Sequence, residues 1–257
     1  MHRSCESSCG AFISIYIKEG IITVYVISDI HGYPADKIKA LFQSVNFGAD
    51  DYCYCLGDVI DRGSDGIENL LWIMQQPNIK FILGNHESML LSCEFLFNTV
   101  TNETVEQLDN RKMMLYMNWA FNGCEPTLAG LKALSYEERA DIIDYLKEAP
   151  VYDSVTVSGK DFIFTHGGIS NFSANKPLRA YSADELLWNR PQLSDRYFDD
   201  MTVVFGHTPT CYLDEAVQGK VLFTDTWIDI DCGAARGFAP ALLRLDDMKA
   251  FYAQSIG

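Results

Sequence analysis

Five short apolar segments of this chain end at a glycine that stands beside or close to Asp, Asn or His. With their polar ends they read VYVISDIHG, YCYCLGD, KFILGNHE, FIFTHGG and TVVFGHT, and they begin at residues 24, 52, 80, 162 and 202. Segments of this length that are rich in β-branched and aromatic residues predict buried strands. A buried strand has no structural need for polar groups at its end, so these groups indicate a site built from several strand ends.

Helical patterns separate the first three strands. Pro34 and Gly48 bound the first predicted helix, and the second covers about 64–77. Strand–helix alternation is typical of right-handed βαβ units in a largely parallel sheet. In such an α/β fold the carboxyl ends of the strands meet at one crevice, where ligands bind.

The middle of the chain has a different pattern. Residues 88 to about 150 are predicted to be mostly helical, with a capping box from Ser135 to Glu138. Two strands around a turn at 158–160 follow, and then several short strands. Because no Gly-, Ser- or Pro-rich linker interrupts this order, we predict one domain over 24–257 in which the helical region forms a cap.

Residues 1–23 are predicted to be an extension outside that domain. Lys18 and Glu19 interrupt their short apolar stretch and no A-x-A cleavage site follows, which argues against a signal peptide. Lys-Glu-Gly can be encoded by AAGGAGGG, a ribosome-binding sequence. We therefore expect translation of the natural protein to begin near Val24, which an intact-mass measurement checks.

Composition excludes several classes of partner. The chain has 35 acidic and 20 basic residues, a net charge of −15, whereas nucleic-acid binding depends on clustered Lys and Arg. No apolar run reaches the roughly 18 residues that span a bilayer, so we predict no membrane partner. The eight cysteines include no CxxC pair, which predicts reduced thiols and a cytoplasmic protein. No pattern in the sequence predicts an oligomeric state.

The polar strand ends predict a metal site. Four of the five histidines lie at these ends, the exception being His2. Asp, Asn and His gathered at one edge offer oxygen and imidazole ligands of the kind that bind Mn²⁺, Fe or Zn²⁺. A carboxylate such as Asp58 can bridge two ions.

The motifs SDIHG, GDVIDRG, GNHE, HGG and GHT, in this order over residues 28 to 208, resemble the calcineurin-like metallophosphoesterases. More narrowly, they resemble the bacterial form of the serine/threonine phosphoprotein phosphatases. The resemblance implies a central β-sandwich flanked by helices, in four α/β/β/α layers, and two divalent metal ions, with Mn²⁺ first and Fe or Zn as alternatives. Ser28 departs from the family, which often has Gly or Ala there.

The resemblance also implies a role for each motif residue. One ion would be held by Asp29, His31 and Asp58, and the other by Asp58, Asn85, His166 and His207. A hydroxide bridging the two ions would attack phosphorus directly.

A second set of implied roles concerns the substrate. His86 would protonate the leaving group, and Asp61 would orient its imidazole. Arg62 and Arg190, together with Asn85, would bind the phosphoryl oxygens. Arg190 is alternatively a helix-end arginine after the SADE capping box. Trp188, two residues earlier, is expected to pack in the core or the cap.

The expected activity is hydrolysis of phosphomonoesters in phosphoproteins, on phosphoserine and phosphothreonine and also phosphotyrosine. The alternative is a hydrolase of dinucleoside polyphosphates or another small phosphoester, because the tail IDIDCGAARGFAPALLRLDD resembles those enzymes too. His31 and Asp61 argue against the symmetrical type, which tends to have Gln and no Asp there. A non-catalytic scaffold is a third reading. DIDCG, at 229–233, resembles the start of a haloacid-dehalogenase motif but is better read as alternating strand residues.

Overall fold

The computed structural model describes residues 22–97 and 109–256. Residues 1–21 of the predicted extension lie outside this part of the chain. The strands in it are β1 Val24–Ile27, β2 Tyr52–Cys55, β3 Ile79–Phe81, β4 Tyr152–Val157, β5 Lys160–Thr165, β6 Met201–Phe205, β7 Leu222–Phe223, β8 Trp227–Asp229, β9 Ala241–Arg244 and β10 Lys249–Tyr252. The α-helices in it are α1 Ala35–Ser44, α2 Gly66–Met74, α3 Asn85–Ser92, α4 Asn110–Phe121, α5 Glu125–Ala133, α6 Tyr136–Glu148 and α7 Ala183–Leu187.

The strands form two mixed five-stranded sheets. The first has the order β10-β9-β1-β2-β3, and β1, β2 and β3 run parallel, which confirms the predicted βαβ units. The second has the order β4-β5-β6-β8-β7, with β5, β6 and β8 parallel. Strand β4 is antiparallel to β5 because only two residues, Ser158 and Gly159, connect them, and a parallel pair needs a long crossover.

The two sheets pack face to face, as expected from alternation along each strand. Val26 and Tyr54 point to the inner face, where the Tyr54 ring stacks on Phe164 of the second sheet with centroids 4.2 Å apart. Tyr25 and Ile27 point the other way and pack against the long helices. The predicted sandwich is therefore confirmed. The outer face of the second sheet is covered by the short helix α7 and by loops.

The parallel strands bring the motif residues to one edge, since their carboxyl ends point the same way. GNHE begins helix α3 directly, so Asn85, His86 and Glu87 form its first turn. The described parts of the region predicted as a helical cap lie in α3 to α6 and a 3₁₀ turn at Glu94–Phe97. None of the described helices is both long and apolar enough to cross a membrane.

Helix α6 begins with the predicted capping box. Ser135 Oγ accepts the N–H of Glu138 over 3.1 Å, and Glu138 Oε2 accepts the N–H of Ser135 over 2.8 Å. These bonds satisfy two backbone donors that a helix start otherwise leaves unpaired. A second capping box, Ser182 with Glu185, begins α7.

We expect Ser135→Ala to lower the free energy of unfolding by about 1 kcal/mol, because it removes the side-chain acceptor of an N-cap. Urea unfolding at neutral pH measures the change, with the exposed Ser194→Ala as control. Equal unfolding midpoints for the two variants would show that the capping box contributes nothing to stability.

Candidate active site

The Asp58 carboxylate lies at the centre of the motif residues. It follows β2 and is buried. His166 Nε2 lies 3.2 Å from its Oδ1, and His31 Nε2 and His86 Nε2 lie 3.6 and 3.8 Å from its Oδ2. One carboxylate thus faces three imidazoles that come from three different strand ends.

Asp58 belongs to two groups of side chains that could each hold a metal ion. The first group is Asp58 with His31 and His86, and the second is Asp58 with His166 and His207, the ligand atoms of each group lying within 4.8 Å of one another. One carboxylate, with its two oxygens, can bridge two neighbouring ions.

The remaining predicted ligands border these groups. Asn85 Oδ1 lies 2.8 Å from both His166 Nε2 and His207 Nδ1. Asp29 Oδ1 lies 3.9 Å from His31 Nε2, and both its oxygens accept the backbone N–H of His207. The structure therefore brings all six predicted ligands together. In the first group, however, His86 lies where the resemblance implied Asp29.

Hydrogen bonds assign the protonation of two imidazoles. His31 Nδ1 faces the Ile60 carbonyl at 3.1 Å and its Nε2 faces Arg62 Nη1 at 3.1 Å, so Nδ1 carries the only proton. Burial lowers the pKa of His31 to about 3. His166 faces acceptors on both sides, the Leu56 carbonyl and Asn85 Oδ1. Burial by itself would lower the pKa of His166, but the Asp58 and Asp29 carboxylates and the Leu56 carbonyl together raise it to about 10.

The donor set fits divalent cations. The buried Nε2 of His207 has no hydrogen-bond partner among the described residues, and an unpaired buried polar atom costs free energy. The second proton of His166 lies between Asp58 and Asn85, where a cation would replace it, since metal binding displaces protons from its ligands. Burial raises the pKa of Asp29 to about 6, although His166 opposes the rise, so the positive charge near this carboxylate does not fully offset its burial.

The backbone at the site is strained. Six predicted site residues adopt a positive φ, which is uncommon for residues with a side chain: Asp29, His31, Asp58, Asp61, Arg62 and His207, at 41 to 70°. Such a conformation costs on the order of 1–3 kcal/mol per residue and is found at functional sites.

Two close contacts between loops explain why the motifs contain glycine at these positions. Gly32 and Gly63 lie so close together that a Cβ on either would collide with the backbone of the other. A Cβ on Gly206 would collide with the Asp29 carboxylate. These glycines therefore allow the SDIHG, GDVIDRG and GHT loops to meet.

His86 and Asp61 form a hydrogen-bonded pair beside the predicted ligands. His86 Nδ1 donates to Asp61 Oδ2 over 2.6 Å. Burial by itself would lower the pKa of His86, but the Asp58 and Asp61 carboxylates raise it above its ordinary value. Arg62 Nη2 lies 3.0 Å from His86 Nε2. A guanidinium can only donate, so Nε2 accepts in this structure.

The two predicted arginines lie at the solvent side of the site. Arg62 and Arg190 are exposed, whereas the predicted ligands are buried. Arg190 Nη1 donates to the His207 carbonyl over 3.2 Å. Trp188 was expected in the core or the cap, but it is 39% exposed and its ring centroid lies 6.0 Å from that of His207. The site therefore has a cationic mouth with an aromatic ring beside it.

Several residues that hold the site were not assigned from the sequence. Glu87 is buried, and its carboxylate accepts the backbone N–H groups of Asp58, Val59 and Ile60. The position of Glu87 in the GNHE motif was the sequence signal that could have identified it. Ser28 donates to Asp29 Oδ2 over 2.5 Å, so the departure from Gly or Ala adds a hydrogen bond.

Two further residues hold Asp61. Trp119 and Thr127 both donate to its carboxylate. No sequence signal marked these two residues, because their contacts with Asp61 depend on how the helices pack.

The family model for calcineurin-like phosphoesterases matches residues 22–222. The chain belongs to this family. Among curated relatives, the phosphoesterase is 28% identical over 152 residues to a symmetrical bis(5'-nucleosyl)-tetraphosphatase of Actinobacillus pleuropneumoniae, a match that covers 58% of this chain and 46% of that one. The chain thus spans about half the length of the first relatives that it matches. It is 24% identical to serine/threonine-protein phosphatase 2 of Salmonella typhimurium, over 72% of this chain and 78% of that one.

A third relative matches nearly end to end. The phosphoesterase is 24% identical to the asymmetrical bis(5'-nucleosyl)-tetraphosphatase PrpE of Halalkalibacterium halodurans, over 87% of this chain and 90% of that one. Among solved structures, one assigned as a diadenosine tetraphosphatase has a TM-score of 0.62 at 15% identity, over 94% of this chain and 97% of that one. A serine/threonine phosphatase of Saccharomyces cerevisiae has a TM-score of 0.53 at 14% identity, over 92% and 81%. These structures show the fold.

We expect Asp58→Ala and His207→Ala each to lower the number of Mn²⁺ ions bound per chain, because each removes a donor that we assign to an ion. Metal analysis after equilibrium dialysis measures this. His86→Ala is the control that keeps the full complement, because both ring nitrogens of His86 already have partners, Asp61 and Arg62. Unchanged metal content in both ligand variants would contradict the grouping. An equal loss in His86→Ala would make His86 a ligand.

Proposed function

We propose that the chain is a dinuclear metal-dependent phosphoprotein phosphatase that hydrolyses phosphomonoesters of serine and threonine, and of tyrosine as well. The observation that supports this most is the His86–Asp61 pair beside the Asp58-centred donors, with Arg62 between His31 and His86. It joins a proton donor, a cation for phosphoryl oxygens and a metal-ligand set in one place. The name of the Salmonella relative agrees with this activity.

Two groups of residues would hold the ions. Asp29, His31 and Asp58 would hold one, and Asp58, Asn85, His166 and His207 the other. When bound, two such ions neutralise charge on the phosphoryl oxygens and lower the pKa of a water molecule, so that it can attack at neutral pH. Mn²⁺ is our first choice, with Fe or Zn²⁺ as alternatives that the same mixed N and O donors accept.

The arginines would bind the phosphoryl group, assisted by the Asn85 side chain. Arg62 and Arg190 are exposed at the mouth of the buried donors, and a guanidinium fits two phosphoryl oxygens at once. Arg62 now donates to His31 and His86. On binding a phosphate it would turn away and leave His86 Nε2 open to a second proton.

His86 would supply the proton for the leaving group. As the water oxygen bonds to phosphorus, the bond from phosphorus to the ester oxygen breaks, and the proton on Nε2 moves to that oxygen. The attacking water releases a proton to the solvent and His86 takes one up again, so the net products are phosphate and a neutral alcohol. Asp61, bonded to Nδ1–H, stabilises the imidazolium before the transfer and holds the ring in place.

Hydrolysis of dinucleoside polyphosphates is the second candidate, because seven of the curated relatives are bis(5'-nucleosyl)-tetraphosphatases. The same donors and arginines would serve it. Its leaving group is a nucleotide phosphate, which is a stable anion and needs little protonation, whereas a serine alkoxide needs a proton. The buried His86–Asp61 pair therefore favours the phosphomonoester.

We expect His86→Ala to lower kcat for a phosphoserine peptide by roughly 10²–10⁴-fold, the usual contribution of general acid catalysis. Steady-state kinetics of the Mn²⁺-loaded enzyme measure this, with metal content determined on the same sample. A kcat equal to that of the unsubstituted chain would exclude His86 as the acid.

The choice between the two candidates is tested by substrate. We expect the Mn²⁺-loaded enzyme to have a higher kcat/KM for phosphoserine and phosphothreonine peptides than for diadenosine tetraphosphate. The reverse order would replace the first candidate by the second. No turnover of either substrate, nor of p-nitrophenyl phosphate, would instead support a non-catalytic scaffold.

A further inference from the structure

The helical region between β3 and β4 contacts the proposed general-acid pair directly. Trp119, in α4, donates its indole N–H to Asp61 Oδ2 over 2.7 Å. Thr127, in α5, donates its hydroxyl to Asp61 Oδ1 over 2.6 Å. Trp119 and Thr127 lie 58 and 66 residues after Asp61 in the sequence.

These donors leave the Asp61 carboxylate no freedom to turn. His86 Nδ1–H is the third donor, at 2.6 Å. Asp61, His86, Trp119 and Thr127 are all at most 1% exposed, and hydrogen bonds in a water-free environment are stronger than in water. Because one carboxylate oxygen joins the indole and the imidazole, its position determines how the His86 ring is oriented.

The same helical region also holds the backbone of the pair. The N–H of Asp61 donates to Thr127 Oγ1 over 2.9 Å, and the N–H of Arg62 donates to the Gly123 carbonyl over 2.9 Å. Asp61 and Arg62 have φ values of 67 and 70°, so their conformation is unfavourable unless neighbours stabilise it. A Cβ on Gly123 would lie 3.1 Å from Arg62 Cγ. Hydrogen bonds from residues 119–127 thus hold the backbone of Asp61 and Arg62 in place.

We propose that Trp119 and Thr127 are positioning residues, which hold the Asp61 carboxylate and, through it, the His86 ring in the orientation that delivers a proton to the leaving group. This rests on the proposed function, in which His86 is the acid. It gives α4 and α5 a part in the reaction besides packing: two hydrogen bonds in series connect these helices to His86, whose Nε2 would meet the leaving oxygen.

The test uses substitutions that remove one donor and little else. Trp119→Phe keeps an aromatic ring without the N–H, and Thr127→Val keeps the shape without the hydroxyl. Thr127→Ser restores the hydroxyl. Trp227→Phe is the matched control, because Trp227 is also fully buried and donates one bond, to the Asp195 carbonyl at 2.8 Å. Thermal unfolding and Mn²⁺ content are measured for every variant.

Two aryl phosphates separate positioning from general damage. We expect Trp119→Phe and Thr127→Val to lower kcat for phenyl phosphate on the order of ten-fold, part of the full effect of a general acid, with KM unchanged. For p-nitrophenyl phosphate the loss should be small, because nitrophenolate leaves with little help from a proton. Thr127→Ser should keep most of the activity, and Trp227→Phe should keep the ratio of the two rates.

A double-mutant cycle decides whether the effect passes through His86. If it does, Trp119→Phe added to His86→Ala causes no further loss, since coupled residues are non-additive. A full additional loss would overturn the proposal. If Trp119→Phe and Thr127→Val react as fast as the unsubstituted chain while His86→Ala is slow, the positioning proposal is overturned and the proposed function still stands. An unaffected His86→Ala would overturn both.

Discussion

The buried charge of Asp58 is the interaction around which the site is organised. Its carboxylate lies between imidazoles from three strand ends, and Glu87 holds the backbone on which it sits. Burial by itself would raise the pKa of Asp58, but His166 and His86 lower it far below its ordinary value. A buried negative charge is stable only with positive charge beside it. In this structure the protonated imidazole of His166 beside Asp58 supplies that positive charge. In our proposal, metal ions supply it.

The fold meets this requirement through the direction of its strands. Parallel strands in both sheets deliver their loops to one edge, and the glycine contact between Gly32 and Gly63 lets two of those loops touch. Strained backbone at Asp58 and its neighbours aims short side chains inward. The strain persists because Glu87 and the α4–α5 connection supply hydrogen bonds that compensate for it.

The rim of the site is exposed and carries positive charge, unlike its buried centre. The chain carries a net charge of −15, so the phosphorylated substrate that we propose would meet a repulsive field, and local cations would have to overcome it. Arg62 and Arg190 provide them at the mouth. Arg62 also contacts His31 and His86, so the residue that we propose to bind phosphate lies against the residue that we propose as the acid. In our proposal, substrate binding and proton transfer are thereby connected through one side chain.

Local sequence determined the strands, the capping boxes and the six candidate ligands, because hydrophobic periodicity and motif spacing act over a few residues. It also placed His86 beside Asn85, and Asp61 beside Arg62. Only the tertiary structure decided which imidazole faces which carboxylate, that Trp188 lies beside His207 rather than in the core, and that Trp119 and Thr127 reach Asp61. Those contacts join residues tens of positions apart, and they depend on how helices and sheets pack, a long-range property that no short pattern encodes.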